Sequence, residues 1–226
     1  MQSIIVVEDD INIRELLVYA LNNNGFRAVG VQGAQDFFKH LEDGSFSLAI
    51  LDLMLEGEDG YEILKKIRGS KKYFDLPVII LTAKNNEYDK VKGLDMGADD
   101  YITKPFGVLE TISRIKAILR RRPESFENPN SILEYRGIYM DLNKREVYLG
   151  EEKIDLTYKE FELLYFFMEN IGIVLSRDRL VTEVWGFDYS GETRTVDVHI
   201  KSLRHKLGDK RDFIRTVRNI GYKLGE

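Results

Sequence analysis

Polar residues stand at the ends of four separate apolar runs in this sequence. Glu8, Asp9 and Asp10 follow SIIVV, Asp52 interrupts LAILDLML, Thr82 closes VIILT, and Lys104 follows YIT. An acid at the end of a buried run costs desolvation free energy unless its charge is used there. The chemistry that uses this set is phosphoryl transfer to a carboxylate: Asp52 is the nucleophile, and its attack on a phosphoryl group must overcome repulsion between anions. Asp9, Asp10 and Asp52 bring together too much negative charge to coexist without a cation, and hard carboxylate donors suit Mg²⁺. Lys104 can pair with one phosphoryl oxygen and the Thr82 hydroxyl can donate to another. Singly, Asp10 suits a helix N-cap, Thr82 a turn and Lys104 a solvated charge. On successive strand ends they indicate one pocket.

The elements that must position these residues are legible in the first half. Residues 4–7, 48–51 and 78–81 are short continuous apolar runs, the pattern of parallel strands covered on both faces. Amphipathic stretches at 11–21 and 60–67 lie between them, and 27–31 and 101–103 are weaker strands. The alternation predicts an α/β domain with a five-stranded doubly wound parallel sheet, in which ligands bind beyond the carboxyl ends of the strands.

The 226 residues are enough for two domains, and 43% hydrophobic with 31% charged residues is a globular composition. There is no cysteine, so disulfides and thiolate metal sites are excluded. No stretch has the length and apolarity of a membrane span, and the start of the chain lacks a signal-peptide pattern; the expected location is cytoplasmic. The net charge of −5 hides a local excess: residues 192–223 hold 9 Lys/Arg against 4 acids, where an anionic partner would dock.

The combination EDD, LAILDLML, VIILTAK and GADDYITKPF resembles the receiver domain of two-component response regulators over residues 1–122 (flavodoxin-like fold). The resemblance implies that Asp52 takes a phosphoryl group from a cognate histidine kinase. It also implies that Asp9, Asp10, Asp52 and the backbone carbonyl of Met54 hold Mg²⁺, that Lys104 contacts the phosphate, and that the Lys104–Pro105 peptide is cis. The switch would then be Thr82 drawn to the phosphate and Tyr101 turning inward, remodelling the surface of the fourth helix, fifth strand and fifth helix. Lys90, Asp100, Glu110 and Arg114 stand where this subfamily pairs charges across a receiver homodimer. One departure is Glu56, at a place where receivers commonly carry proline. With Glu58 it adds negative charge near the pocket, expected to weaken retention of the phosphoryl group or to alter the choice of kinase.

Residues 123–131, PESFENPNS, carry two prolines and no apolar periodicity and are expected to be a linker. Residues 132–226 begin with short alternating strands at 132–135, 138–141 and 146–149. Thr157 to Glu160 form a capping box opening a helix with a stripe of Phe161, Leu164, Tyr165 and Met168. Ser176 caps a second helix, running to about Trp185. A third, at about 193–207, turns Val196, Ile200, Leu203 and Leu207 inward and Arg194, Val198, Lys201, Ser202 and His205 outward. A hairpin across Arg218-Asn219-Ile220-Gly221 follows. A basic helix with a β wing behind it suits the major groove of double-stranded DNA.

LTYKEFELL, VLSRDRLVTEVWG, RTVDVHIKSLRHKLG and IRTVRNIGYKL closely resemble the α+β winged helix-turn-helix domain of the OmpR/PhoB subfamily. That resemblance implies phosphate-backbone contacts from Trp185, Arg194 and His199, with Val198 and Ser202 toward bases. Lys201, Arg204, Thr216, Arg218 and Tyr222 are further candidates. It implies a non-enzymatic regulator that dimerises on phosphorylation, binds direct-repeat promoter half-sites and has RNA polymerase as a further partner. The rival is an aspartyl-phosphate hydrolase of the haloacid dehalogenase type, which needs a second acid two residues after the nucleophile. Met54 stands there.

Overall fold

The computed structural model describes residues 1–83, 87–120, 131–186 and 194–225, with the side chains of residues 87, 88, 90, 120 and 194 outside the described set. The chain divides into two compact units, residues 1–119 and 120–226.

In the first unit, β1 (Ser3–Val7), α1 (Ile11–Asn23), β2 (Arg27–Val31), α2 (Ala34–Asp43) and β3 (Leu48–Asp52) are followed by a two-residue ladder, β4 (Met54–Leu55) with β5 (Glu58–Asp59). Then come α3 (Gly60–Gly69), β6 (Val78–Thr82), α4 (Glu87–Asp95), β7 (Asp100–Thr103) and α5 (Val108–Arg120). The parallel sheet runs β2-β1-β3-β6-β7, the five-stranded doubly wound arrangement expected from the sequence. Its central strands have helices on both faces, and Ile4 to Val7, Leu48 to Leu51 and Val78 to Leu81 are all buried. Register sets the rim: Asp52 pairs with Leu81, and Thr82 with Thr103, whose successor is Lys104. Gly60, opening α3, is required by close approach, because a Cβ there would collide with the Asp52 carbonyl and the Leu53 backbone.

A buried ion pair braces the far side of this sheet. Arg68 Nη2 lies 3.0 Å from Asp99 Oδ2, and the same carboxylate accepts from Val78 N at 2.8 Å. Three more guanidinium hydrogens go to the carbonyls of Phe74, Leu76 and Gly97, so four of its five N–H groups are bonded to protein acceptors that offset the cost of burying the charge.

The second unit opens with an antiparallel sheet in sequence order, β8 (Ile132–Tyr135), β9 (Ile138–Asp141), β10 (Glu146–Leu149) and β11 (Glu152–Ile154). The first three match the sequence reading; β11 has too few apolar residues to signal itself. The helices α6 (Tyr158–Glu169), α7 (Arg177–Val184) and α8 (Arg194–Lys206) follow, with β12 (Leu175–Ser176) leading into α7. The wing is β13 (Ile214–Val217) and β14 (Gly221–Leu224), and β14 sits between β12 and β13. Of the expected linker, residues 123–130 lie outside the described residues.

Helix α6 departs from the expected single stripe. Leu163 and Phe167 are as deeply buried as Leu164, because α6 is the central helix with α7 and α8 packed against it. Ser176 caps α7 by accepting from Arg179 N, as anticipated. At the wing tip Asn219 adopts φ +60°, a left-handed conformation that asparagine tolerates better than most side chains. Gly221 is obligatory for a different reason: a Cβ there would strike the Leu175 carbonyl across β12 and β14. Among the described residues no helix is long and apolar enough to cross a membrane.

Candidate functional site

The rim of the parallel sheet gathers Glu8, Asp9, Asp52 and Lys104. One carboxylate oxygen from each of Glu8, Asp9 and Asp52 lies within 4.8 Å of the others. Lys104 Nζ stands 2.5 Å from Asp52 Oδ2 and 2.7 Å from Glu8 Oε2. The second Asp52 oxygen accepts from Met54 N at 2.9 Å. Asp52 and Glu8 are buried and Asp9 is half-buried, so the cluster opens to solvent on the Asp9 side.

Electrostatics follow from this crowding. Burial, reinforced by the neighbouring Asp52 charge, pushes the Glu8 carboxyl up to about 7 despite its bond to Lys104. Burial opposes the Lys104 ammonium, but its bonds to Asp52 and Glu8 prevail and hold its pKa above the ordinary lysine value. Three hard oxygen donors with one cation among them form a donor set that fits a divalent ion such as Mg²⁺.

One sequence expectation changes at the acidic cluster. Asp10 does not join the converging carboxylates: it is exposed and caps α1, accepting from Asn12 N at 2.8 Å and Ile13 N at 3.2 Å. Those backbone bonds hold its pKa below the ordinary aspartate value. Its place is taken by Glu8, whose signal was being the first acid after the strand, where the chain is still held to the sheet by Glu8 N bonding Val31 O. Arg14 fixes the acidic turn from α1, donating to the carbonyls of Glu8 and Asp9.

Thr82 is buried at the end of β6, and Tyr101 on β7 is half-buried with its side chain hydrogen-bonded to Thr82. Burial raises the Tyr101 pKa, and the Thr82 bond only partly opposes it. The expected inward turn of Tyr101 therefore does not begin from a solvent-facing ring. The Lys104–Pro105 peptide is cis, as the resemblance implied. Met54 is exposed beside Asp52. Glu58 points away from the pocket's charge: its Oε2 accepts from Ala34 N at 2.7 Å, capping α2, where Gly33 offers no side chain.

Of the residues expected across a dimer, three pair within the chain. Arg114 lies 3.1 Å from Asp100 and 2.7 Å from Glu110, and both Arg114 and Asp100 are buried. The Lys90 side chain lies outside the described residues.

In the second unit the expected DNA-contacting set splits. Trp185 and His199 are each only 1% exposed, with ring centroids 5.2 Å apart, so they pack together inside the domain and are not presented to a phosphate backbone. Val198 is also buried. Ser202 donates to Glu160 Oε1 at 2.6 Å, toward α6 and not outward. Tyr222 is buried with its hydroxyl donating to Asp197 at 2.7 Å, and Arg177 pairs with the same carboxylate. The cause is common: α8 is covered on a second flank, which its apolar stripe alone does not disclose. Arg204 braces the wing, bonding Ile214 O and Thr216 Oγ1. The Arg194 side chain lies outside the described residues.

What α8, the turn after it and the wing expose is mainly basic or polar: Lys201 and His205 on the helix, Arg211 in the turn, then Arg215, Thr216 and Arg218, with the acids Asp209 and Asp212 and the apolar Ile220 exposed among them. This surface suits a polyanion.

Comparison with known proteins agrees with both halves. Residues 4–116 match the family model of the response regulator receiver domain, and residues 150–224 match that of the transcriptional regulatory protein C-terminal domain. The chain is 42% identical to the alkaline phosphatase synthesis transcriptional regulatory protein PhoP of Bacillus subtilis, covering 100% of this chain and 97% of that protein. It is 40% identical to the phosphate regulon transcriptional regulatory protein PhoB of Escherichia coli, covering 98% and 96%. Among solved structures it is similar to the response regulator DrrB of Thermotoga maritima, described as an OmpR/PhoB homologue, with 31% identity, full coverage of both chains and a TM-score of 0.53.

Proposed function

This chain belongs to the OmpR/PhoB-type response regulators, and from that membership we propose that Asp52 is the phosphoacceptor through which a histidine kinase controls its binding to promoter DNA. The family assignment makes it a two-component regulator with a receiver and a DNA-binding domain. The observation that supports Asp52 is its pairing with Lys104 at 2.5 Å, at the strand end where Glu8 and Asp9 converge.

The chemistry follows from these groups. An Asp52 oxygen forms the new O–P bond as the P–N bond of the kinase phosphohistidine breaks. Lys104 is placed to pair with a phosphoryl oxygen, offsetting charge that Asp52 and Glu8 otherwise concentrate. Glu8, Asp9, Asp52 and the Met54 carbonyl are the groups that would hold Mg²⁺, with Asp10 left to cap α1. When bound, the cation neutralises charge between acceptor and phosphoryl group. Thr82 then exchanges its Tyr101 bond for a phosphoryl oxygen, and Tyr101 moves relative to α4 and α5.

On this reading the changed α4-β7-α5 surface favours a receiver homodimer, with Lys90, Asp100, Glu110 and Arg114 setting its register. Dimerisation raises the effective concentration of one DNA-binding domain beside the other on tandem half-sites. Lys201, Thr216 and Arg218 are the exposed DNA contacts, with Arg194 the candidate at the start of α8. The test is incubation with phosphoramidate and Mg²⁺ followed by intact-mass analysis: wild type gains one phosphoryl group and Asp52→Asn gains none. Equal gain by both assigns the acceptor elsewhere.

A further inference from the structure

The hairpin between β3 and α3 reaches back over the acidic cluster and donates to it. Both oxygens of Asp9 accept backbone bonds: Oδ1 from Asp10 N at 3.0 Å and Oδ2 from Glu56 N at 3.0 Å. The first is local. The second crosses from the hairpin tip to a loop 47 residues earlier in the chain, and it depends on residue 56 having an N–H. We propose that the Glu56 backbone amide is a positioning group that sets the orientation of Asp9 and thereby the divalent-cation affinity of the pocket. This rests on the reading of the pocket as a Mg²⁺ site.

The hairpin is held well enough for its amide to act as a fixed donor. The β4–β5 ladder closes it, Gly57 takes the turn at φ +76°, and Gly60 N bonds Leu53 O at 3.2 Å. At one end Glu58 Oε2 is tied to the start of α2 through Ala34 N, and Asp59 caps α3 by accepting from Tyr61 N at 2.9 Å. The same hairpin supplies Met54 N to Asp52 Oδ1. One short segment therefore aims carboxylates from two different strands.

A carboxylate oxygen has two acceptor positions, so each Asp9 oxygen keeps one for a cation while its amide bond fixes the rotation of the group. Groups that orient a metal ligand in this way are commonly worth about 10- to 100-fold in affinity. The Glu56 carboxylate is on an exposed residue and has no part in this bond, so the effect belongs to the main chain. Proline at position 56 has no N–H to give.

The test is calorimetric titration of Mg²⁺ into the full chain, with thermal melting recorded on each variant. Glu56→Ala keeps the N–H and is expected to bind as wild type does. Glu56→Pro is expected to bind about tenfold more weakly. An amide-to-ester replacement at residue 56 removes the N–H without the proline ring and is expected to match Glu56→Pro, also covering the case in which that variant does not fold. Wild-type affinity in the ester variant overturns the proposal, as does equal weakening in Glu56→Ala, which would assign the effect to the side chain. If wild type itself binds no Mg²⁺, the reading of the pocket fails first and the positioning role falls with it.

Discussion

Lys104 Nζ lies 2.5 Å from Asp52 Oδ2 and shares its charge with Glu8, so one ammonium from the end of β7 balances two buried acids from β1 and β3. Removing one partner of a buried pair leaves the other charge uncompensated, at about 3–5 kcal/mol. Lys104→Met should therefore lower the stability of the first unit by about that amount at neutral pH in the absence of divalent cations. Urea denaturation followed by circular dichroism checks this, and unchanged stability contradicts the pairing.

Arg68 and Asp99 make the analogous case away from the pocket. Asp99→Ala strands a buried guanidinium and frees Val78 N, with an expected loss of about 3–5 kcal/mol in the same measurement. A loss below about 1 kcal/mol, the range of a surface ion pair, would show that solvent reaches the site.

Glu160 gives the second unit an acid limit. Its burial works against ionisation, but Lys206, Ser202 and the Thr157 N–H outweigh that and hold its pKa below the ordinary glutamate value. A depressed folded-state pKa means that the contribution is complete above the unfolded-state value and is lost as pH falls through the folded-state value. Glu160→Gln should flatten the acid limb of stability against pH. Parallel acid limbs in wild type and variant would contradict this.

The exposed basic groups should act through phosphates. Lys201→Ala and Arg218→Ala should each weaken DNA binding at low salt, and each should reduce the slope of log affinity against log salt by about 0.9 for the one phosphate it no longer neutralises. Fluorescence anisotropy over graded salt measures both. Val198→Ala, at a buried position, should leave that slope unchanged.

The three central sheet strands were readable because each is a continuous apolar run, and their alternation with helices and with two weaker strands placed Asp52, Thr82 and Lys104 at one rim. Which of three consecutive acids points inward was not readable: Asp10 and Glu8 differ in whether the chain has yet turned into α1. The β4–β5 ladder is two residues long on each side and carries no periodic signal. In α8, spacing identified the stripe of Val196, Ile200, Leu203 and Leu207 but not the second covered flank. Val198 therefore read as outward when it is core, and Trp185 and His199, which the resemblance set on the phosphate backbone, are buried with it. Spacing also does not disclose that Arg114 pairs with Asp100 and Glu110 within the chain.

The central claim, that phosphorylation at Asp52 controls DNA binding, is tested most directly by sequencing genomic fragments retained by the purified protein with and without phosphoramidate plus Mg²⁺. Enrichment of direct-repeat sites only in the phosphorylated sample, and its absence in Asp52→Asn, is the predicted result. The same fragments enriched in both conditions, or none in either, would contradict it.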